Sequence, residues 1–168
     1  EAGRYAHRML QGDLSDVPAR LRGWVHGAAS FAGAMDADFT AAGAHAQAMT
    51  DLAAQAGDTY GLVFGHWMAS HVALGVGDLD DMRRHANAAL DACESGGTEW
   101  DRAGPLSSLG YAALFGGMPE EAGRWFGQAA SLYRDLGDLG QLVLGALTPW
   151  AEAALRRDDA ATAERLAI

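Results

Sequence analysis

The chain has 168 residues, a net charge of −10 and one cysteine, Cys93. Direct binding of DNA or RNA is not expected. A surface that binds nucleic acid needs clustered cations that displace counterions from phosphates, and the sequence contains no such cluster. A single cysteine excludes an internal disulfide framework and favours the cytoplasm. The sequence contains no run of 18 or more apolar residues, so no membrane span is predicted.

Helical periodicity runs along the whole chain, and no stretch shows the sustained alternation that is typical of strands. The sequence predicts an all-α fold with a lone helix over residues 1–11, followed by four antiparallel helix pairs. The predicted pairs cover approximately residues 18–56, 60–95, 99–136 and 138–168. Glycine–aspartate breakers such as Gly57-Asp58 and Gly77-Asp78 indicate helix ends followed by N-cap residues.

The chain is similar to itself at a shift of about 40 residues, which is the pattern of a helical repeat. The breakers recur at this shift, and so do the small or apolar positions of the second helices. One such register contains Ala46, Ala86 and Phe126. We therefore expect residues 1–168 to form a single α-solenoid segment. Because the chain begins at Glu1 and ends within a helical pattern, we also expect it to be a piece of a longer protein.

Residues 106–129 carry the clearest copy of the repeat. Leu106, Leu109 and Gly110 are followed by Ala122 and Phe126 at the spacing of the tetratricopeptide motif, in which small residues allow two helices to cross closely. The chain thus resembles a tetratricopeptide array, although its period exceeds the usual ~34 residues. The resemblance implies helix pairs stacked into a right-handed superhelix.

Long, alanine-rich repeats of this kind resemble the sensor regions of bacterial LuxR-type and SARP-type transcriptional regulators. The absence of lysine among the twelve basic residues is also typical of a GC-rich bacterial genome. The resemblance implies a non-catalytic region that binds a protein, a peptide or a ligand. The alternative is a self-assembly scaffold, in which an apolar residue such as Trp150 would support a homodimer.

The first helix of each pair lines the concave face of such a superhelix. The register, which is one residue longer in the last repeat, predicts a groove lined by Trp24, Phe31, Phe64, Trp67, His71, Ser107, Tyr111, Phe115 and Glu152. We expect a protein, a peptide or a small apolar ligand to bind there, with His71 and Glu152 as polar contacts. Two alternatives remain open: these aromatics pack on neighbouring repeats, or the helix phase is one step different.

No catalytic, metal or cofactor site is predicted. The sequence contains no phosphate-binding loop, nucleophile elbow or paired-cysteine motif. His26 and His66 lie one repeat apart, as do His45 and His85, and this separation is too large for the members of either pair to share a metal. Cys93 is interpreted as a small core residue.

Overall fold

The computed structural model describes residues 8–166, and every regular element in that range is helical. Of the predicted lone helix over 1–11, residues 8–10 are helical and residues 1–7 lie outside the described range. The elements are α1 (Ala19–Met35), α2 (Phe39–Ala56), α3 (Thr59–Val76), α4 (Leu79–Glu94), α5 (Glu99–Phe115), α6 (Pro119–Asp135), α7 (Leu139–Gln141), a π-helical segment (Leu142–Leu147), α8 (Thr148–Leu155) and α9 (Ala160–Leu166).

The chain forms two compact units, Glu1–Gly97 and Thr98–Ile168. In the first unit, α1 packs on α2, α2 on α3, α3 on α4, and α1 also contacts α3. In the second unit, α5 packs on α6, which contacts the π-helical segment and α8, and α8 packs on α9. This sequential packing confirms the all-α repeat fold. The right-handed superhelix and the single continuous segment over 1–168 stay predictions.

The helix ends follow one recurring turn. At six of them a backbone N–H bonds to the carbonyl five residues earlier, as Asp78 does to Ala73 at 2.9 Å. This is the Schellman arrangement, which places the preceding residue in the left-handed region. Glycine occupies that position at four of the turns, for example Gly77 with φ 79°, whereas Ala37 and Asp158 occupy it at the other two. The predicted breakers thus mark real helix ends.

The second helices of the first three pairs bury a stripe that recurs at the repeat interval. The stripe has four positions in each helix, and all twelve side chains are buried. They are Ala42, Ala46, Met49 and Ala53 in α2, Met82, Ala86, Ala89 and Cys93 in α4, and Ala122, Phe126, Ala129 and Tyr133 in α6. The spacing of four, three and four positions places each stripe on one helix face. The register predicted from the sequence and the core position of Cys93 are therefore confirmed.

The last repeat accommodates one extra residue as a π-helical segment. First helices of successive pairs begin after Pro18, Asp58, Thr98 and Asp138, which are equally spaced along the chain. The second helix of the last pair begins after Asp159, one position later than the repeat predicts from Met118 at the start of α6. The Asp159 carboxylate accepts a hydrogen bond from the Thr162 backbone N–H at 3.0 Å. The additional residue falls in Leu142–Leu147, where the helix widens from i→i+4 to i→i+5 bonding. Nowhere in residues 8–166 is a helix both long enough and apolar enough to cross a bilayer.

Candidate functional site

Five aromatic side chains form a continuous row on α1 and α3. Trp24 stacks on Tyr60 with ring centroids 5.1 Å apart and lies 5.3 Å from Phe64. Phe64 contacts Trp67 edge-on at 5.6 Å, and Trp67 contacts His71 in the same way at 5.2 Å. We call these five residues the aromatic row. It joins the first helices of two consecutive pairs, and four of its members belong to the groove set predicted from the sequence.

A buried carboxylate fixes one end of the aromatic row. Asp58 precedes α3, but unlike Asp38 and Asp78 its side chain caps no backbone N–H of its own helix. It accepts instead a hydrogen bond from the indole Nε1 of Trp24 at 3.1 Å and one from Nε of Arg20 at 3.3 Å. Asp58 therefore holds α1 against the start of α3 and orients the Trp24 ring.

The other end of the row is polar but little exposed to water. Nδ1 of His71 donates a hydrogen bond to the backbone carbonyl of Trp67 at 3.0 Å. Burial lowers the pKa of His71 below its ordinary value of 6.5, while the bond to Trp67 acts in the opposite direction. The indole Nε1 of Trp67 is buried and has no hydrogen-bond partner in the described part of the chain. His71 is therefore neutral at pH 7, and Trp67 keeps an unused donor.

Neighbouring rings of the row contact one another from Trp24 to His71. Among its five members only Tyr60 is largely exposed, and the other four are partly buried. Tyr60 is 41% exposed, and Phe31, a further predicted groove residue on α1, is 54% exposed. A shallow surface depression elsewhere in the first unit is lined by Val76, Gly77, Asp78, Leu79, Asp80 and Arg83, none of which belongs to the row.

The second unit contains a smaller aromatic group on α5. Tyr111 stacks on Phe115 at 6.1 Å and contacts the buried Phe126 edge-on at 5.2 Å. The Tyr111 hydroxyl donates to the carbonyl of Leu144, in the π-helical segment, at 3.3 Å. Burial raises the pKa of Tyr111, and the nearby carboxylate of Glu152 adds to this effect. Tyr111 is thus partly a packing residue, whereas Phe115 is 49% exposed.

The remaining predicted groove residues of this unit have polar partners of their own. The hydroxyl of Ser107 is buried and donates to the carbonyl of Ala103 at 3.1 Å. Glu152 forms an ion pair with Arg156 at 2.6 Å, and Arg156 also donates to the carbonyl of Leu114 at 3.0 Å. Among the predicted groove residues, Phe31 and His71 lie in the first unit, whereas Tyr111 and Glu152 lie in the second. Ligand contact by any of these residues stays a prediction.

Trp150, which we considered for self-association, packs within its own unit. Its ring lies 3.3 Å from where Cβ atoms would be at Gly123 and Gly127, and it covers the cluster around Phe126. Because Gly123 and Gly127 on α6 have no side chains, the indole packs directly against this helix. The partly buried ring stabilises the second unit, and the packing gives no support for a dimer contact.

Sequence reasoning missed two members of the site. Tyr60 stands at the start of α3, and the groove prediction included neither it nor its counterpart one repeat later, Trp100. Asp58 was interpreted as one more capping aspartate. A signal for Asp58 was available three residues later at Gly61, where a Cβ would lie 2.7 Å from the Asp58 carboxylate. The capping residues Asp38 and Asp78 are followed at that position by Ala41 and Asp81.

Comparisons with known proteins do not assign the site. No protein-family model matches the chain, and no curated protein matches it significantly in sequence.

Proposed function

We propose that this chain is a non-catalytic binding region that takes a protein or peptide segment on the aromatic row. The observation that carries the proposal is the continuity of the row across α1 and α3, in which Tyr60 is an exposed member. Phe31, which stands two helical turns after Trp24 on α1, is exposed as well. Aromatic side chains supply large contact areas at low entropic cost and are enriched in the centres of protein interfaces.

The packing of the repeat supports this assignment. The seams between paired helices are filled largely by alanine and methionine, so the aromatic row is not needed to fill the core of α2 or α4. Because the rings contact one another, the row suits an extended peptide or a helix laid across it better than an enclosed small ligand. The unused indole N–H of Trp67 supplies a donor for a carbonyl group of the partner once the ring shifts outward.

By analogy with tetratricopeptide-like regulators, we expect the chain to bind this segment as part of a bacterial transcriptional regulator in the cytoplasm. Repeat arrays change curvature through small rotations between successive pairs. A partner that binds one curvature better than another shifts the population toward it, and a linked domain would sense the shift. A helix-turn-helix encoded in the same reading frame supports this role, whereas a frame that encodes only an enzyme domain contradicts it.

Selection from a random peptide library tests the binding function. We expect peptides that were selected for binding to the whole chain to lose their binding to the Tyr60→Ala and Phe31→Ala variants, because each substitution removes an exposed ring. Leu155→Ala is the matched control, because Leu155 is 59% exposed and lies in the other unit. Peptides that bind the control and both ring variants equally well would contradict the proposal. Circular dichroism establishes that all three variants are folded.

A further inference from the structure

Two histidine pairs join the helices of the first two helix pairs. Nδ1 of His26 on α1 lies 3.0 Å from Nδ1 of His45 on α2, and Nδ1 of His66 on α3 lies 3.1 Å from Nδ1 of His85 on α4. In both pairs the partners are 19 residues apart along the chain, and the two pairs are one repeat apart. The sequence analysis compared His26 with His66 and therefore overlooked this pairing within each helix pair.

Each pair is held by one hydrogen bond between two ring nitrogens. A neutral imidazole carries a proton on one nitrogen and accepts a hydrogen bond at the other. A bond between two Nδ1 atoms therefore needs one ring with its proton on Nδ1 and a partner with its proton on Nε2. At separations of 3.0 and 3.1 Å, the space between the facing nitrogens holds a single proton.

Arg84 determines which ring of the second pair is the donor. Its Nη2 donates to Nε2 of His85 at 3.1 Å, so this nitrogen carries no proton and the proton of His85 lies on Nδ1. His85 therefore donates to Nδ1 of His66, and His66 carries its own proton on Nε2.

Acid changes this pair in two different steps. The first proton binds at Nε2 of His85, which turns Arg84 away and leaves the bond to His66 in place as a charge-assisted hydrogen bond. The second proton has only Nδ1 of His66 to bind, because Nε2 of that ring is already protonated. Two N–H groups then face each other, and two positive rings lie with their centroids 5.4 Å apart. The hydrogen bond is lost and becomes a repulsion.

The surroundings of the second pair oppose the second proton. Burial is the main cause that lowers the pKa of His66, and the charge of His85 and then that of Arg84 lower it further. Burial and Arg84 also lower the pKa of His85, whereas the carboxylate of Asp81, 3.7 Å from its Nε2, raises it. The pair is therefore neutral at pH 7 and takes up protons below pH 6.5.

The other helices that pack on α3 are α1 and α2. Arg20 of α1 forms an ion pair with Asp58 at 3.3 Å, two helical turns before His66. From α2, the uncharged Thr50 lies against α3 at Gly65. The charges that act on the second pair thus come from its own helix α4.

The first pair has the same contact with fewer charges around it. Its ring centroids are 5.2 Å apart. Burial is the main cause that lowers the pKa of His26, followed by the charge of His45 and that of Arg22 on α1. The two α4 charges of the second pair are replaced one repeat earlier by Ala41 and Ala44. The first pair therefore lacks a carboxylate at the position that favours the first proton of the second pair.

We propose that the two histidine pairs are acid-sensitive latches, each of which holds its two helices together through one proton between the facing nitrogens and releases them when both rings are protonated. His26 and His66 lie on α1 and α3, the helices that also carry the aromatic row, so release loosens the packing behind both row helices. The proposal does not rest on peptide binding to the row.

Scalar coupling across the hydrogen bond tests the latch directly. In the ¹⁵N-labelled whole chain at pH 7.5, we expect a coupling between Nδ1 of His66 and Nδ1 of His85. As the pH is lowered, the coupling persists while the first proton is taken up and disappears with the second. His71→Gln is the matched control, because it removes a buried histidine outside the pairs, and it leaves the coupling and both steps unchanged.

Substitutions in the second pair separate a latch from general acid sensitivity. In His85→Gln, or in His66→Gln, the remaining ring has no charged partner, so it titrates in one step and acid no longer opens the α3–α4 seam through repulsion. Amide exchange at the buried stripe of α4, corrected for intrinsic rates, measures this opening. We expect Asp81→Asn to move the first step to lower pH and Arg84→Ala to move it to higher pH.

Three results would overturn the proposal. They are an absent coupling at pH 7.5, a coupling that disappears with the first proton, and acid opening of the α3–α4 seam that is as large in folded His85→Gln and His66→Gln as in the natural chain. Circular dichroism at pH 7.5 establishes that each variant is folded before its titration.

Discussion

Ala37 adopts a backbone conformation that the other turns assign mainly to glycine. Its φ is 58°, in the left-handed region, where a Cβ costs ~1–2 kcal/mol. We expect Ala37→Gly to raise the free energy of unfolding by about 1 kcal/mol, measured by urea denaturation. Gly77→Ala, which places a Cβ at the equivalent turn where φ is 79°, should lower stability by a similar amount. A destabilised Ala37→Gly variant would contradict the assigned turn geometry.

Gly110 marks the closest crossing in the pair α5–α6. A Cβ at this position would lie 2.6 Å from Cε1 of the fully buried Phe126 ring. We expect Gly110→Leu to cost about 1–3 kcal/mol through overpacking, measured as a shift of the urea midpoint. Gly43→Ala is the control, since its Cβ would make an ordinary 3.5 Å contact with Val72 and should stabilise the helix by about 0.5–1 kcal/mol. An unchanged midpoint in Gly110→Leu would show that the crossing is wrong.

At the scale of the helices, the sequence predicted most of the structure because local chemistry determines helix ends. The glycine–aspartate breakers and the buried stripes recur at the repeat interval in α2, α4 and α6, so each repeat supports the helix phase assigned to the others. The contacts of Asp58 and the pairing of His66 with His85 were not predicted. Both depend on which side chains meet across an antiparallel turn, and residue periodicity within one helix does not determine that choice.

The π-helical segment is the element that departs from the repeat. It absorbs one extra residue, and the Tyr111 hydroxyl bonds to the carbonyl of Leu144 within it. We expect deletion of Gly145 to restore a regular α-helix and the regular repeat interval. Tyr111→Phe should cost about 1 kcal/mol in the natural chain, the usual contribution of one hydrogen bond, and less in the deletion variant. A double-mutant cycle with equal costs in both backgrounds would contradict this coupling.

At the scale of the whole molecule, all six histidines of the chain fall within Glu1–Gly97 and none within Thr98–Ile168. We therefore expect the stability of the first unit, which carries the aromatic row, to respond to mildly acidic pH. The pKa values of His26, His66, His71 and His85 are all lowered from 6.5, with burial as the largest cause in each. In the unfolded chain these rings regain ordinary pKa values.

The direction of the pH effect follows from proton linkage. Below pH 6.5 the unfolded form of the first unit binds more protons than the folded form, so its stability falls as the pH is lowered through 6.5 toward the folded pKa values and levels off below them. We expect amide exchange in α1–α4, corrected for intrinsic rates, to accelerate between pH 7.5 and 5.5 while that in α5 and α6 does not. His71→Gln should reduce the acceleration, because the neutral amide has no proton to gain. Amide exchange that accelerates equally in both units would show that burial of the histidines is not the cause.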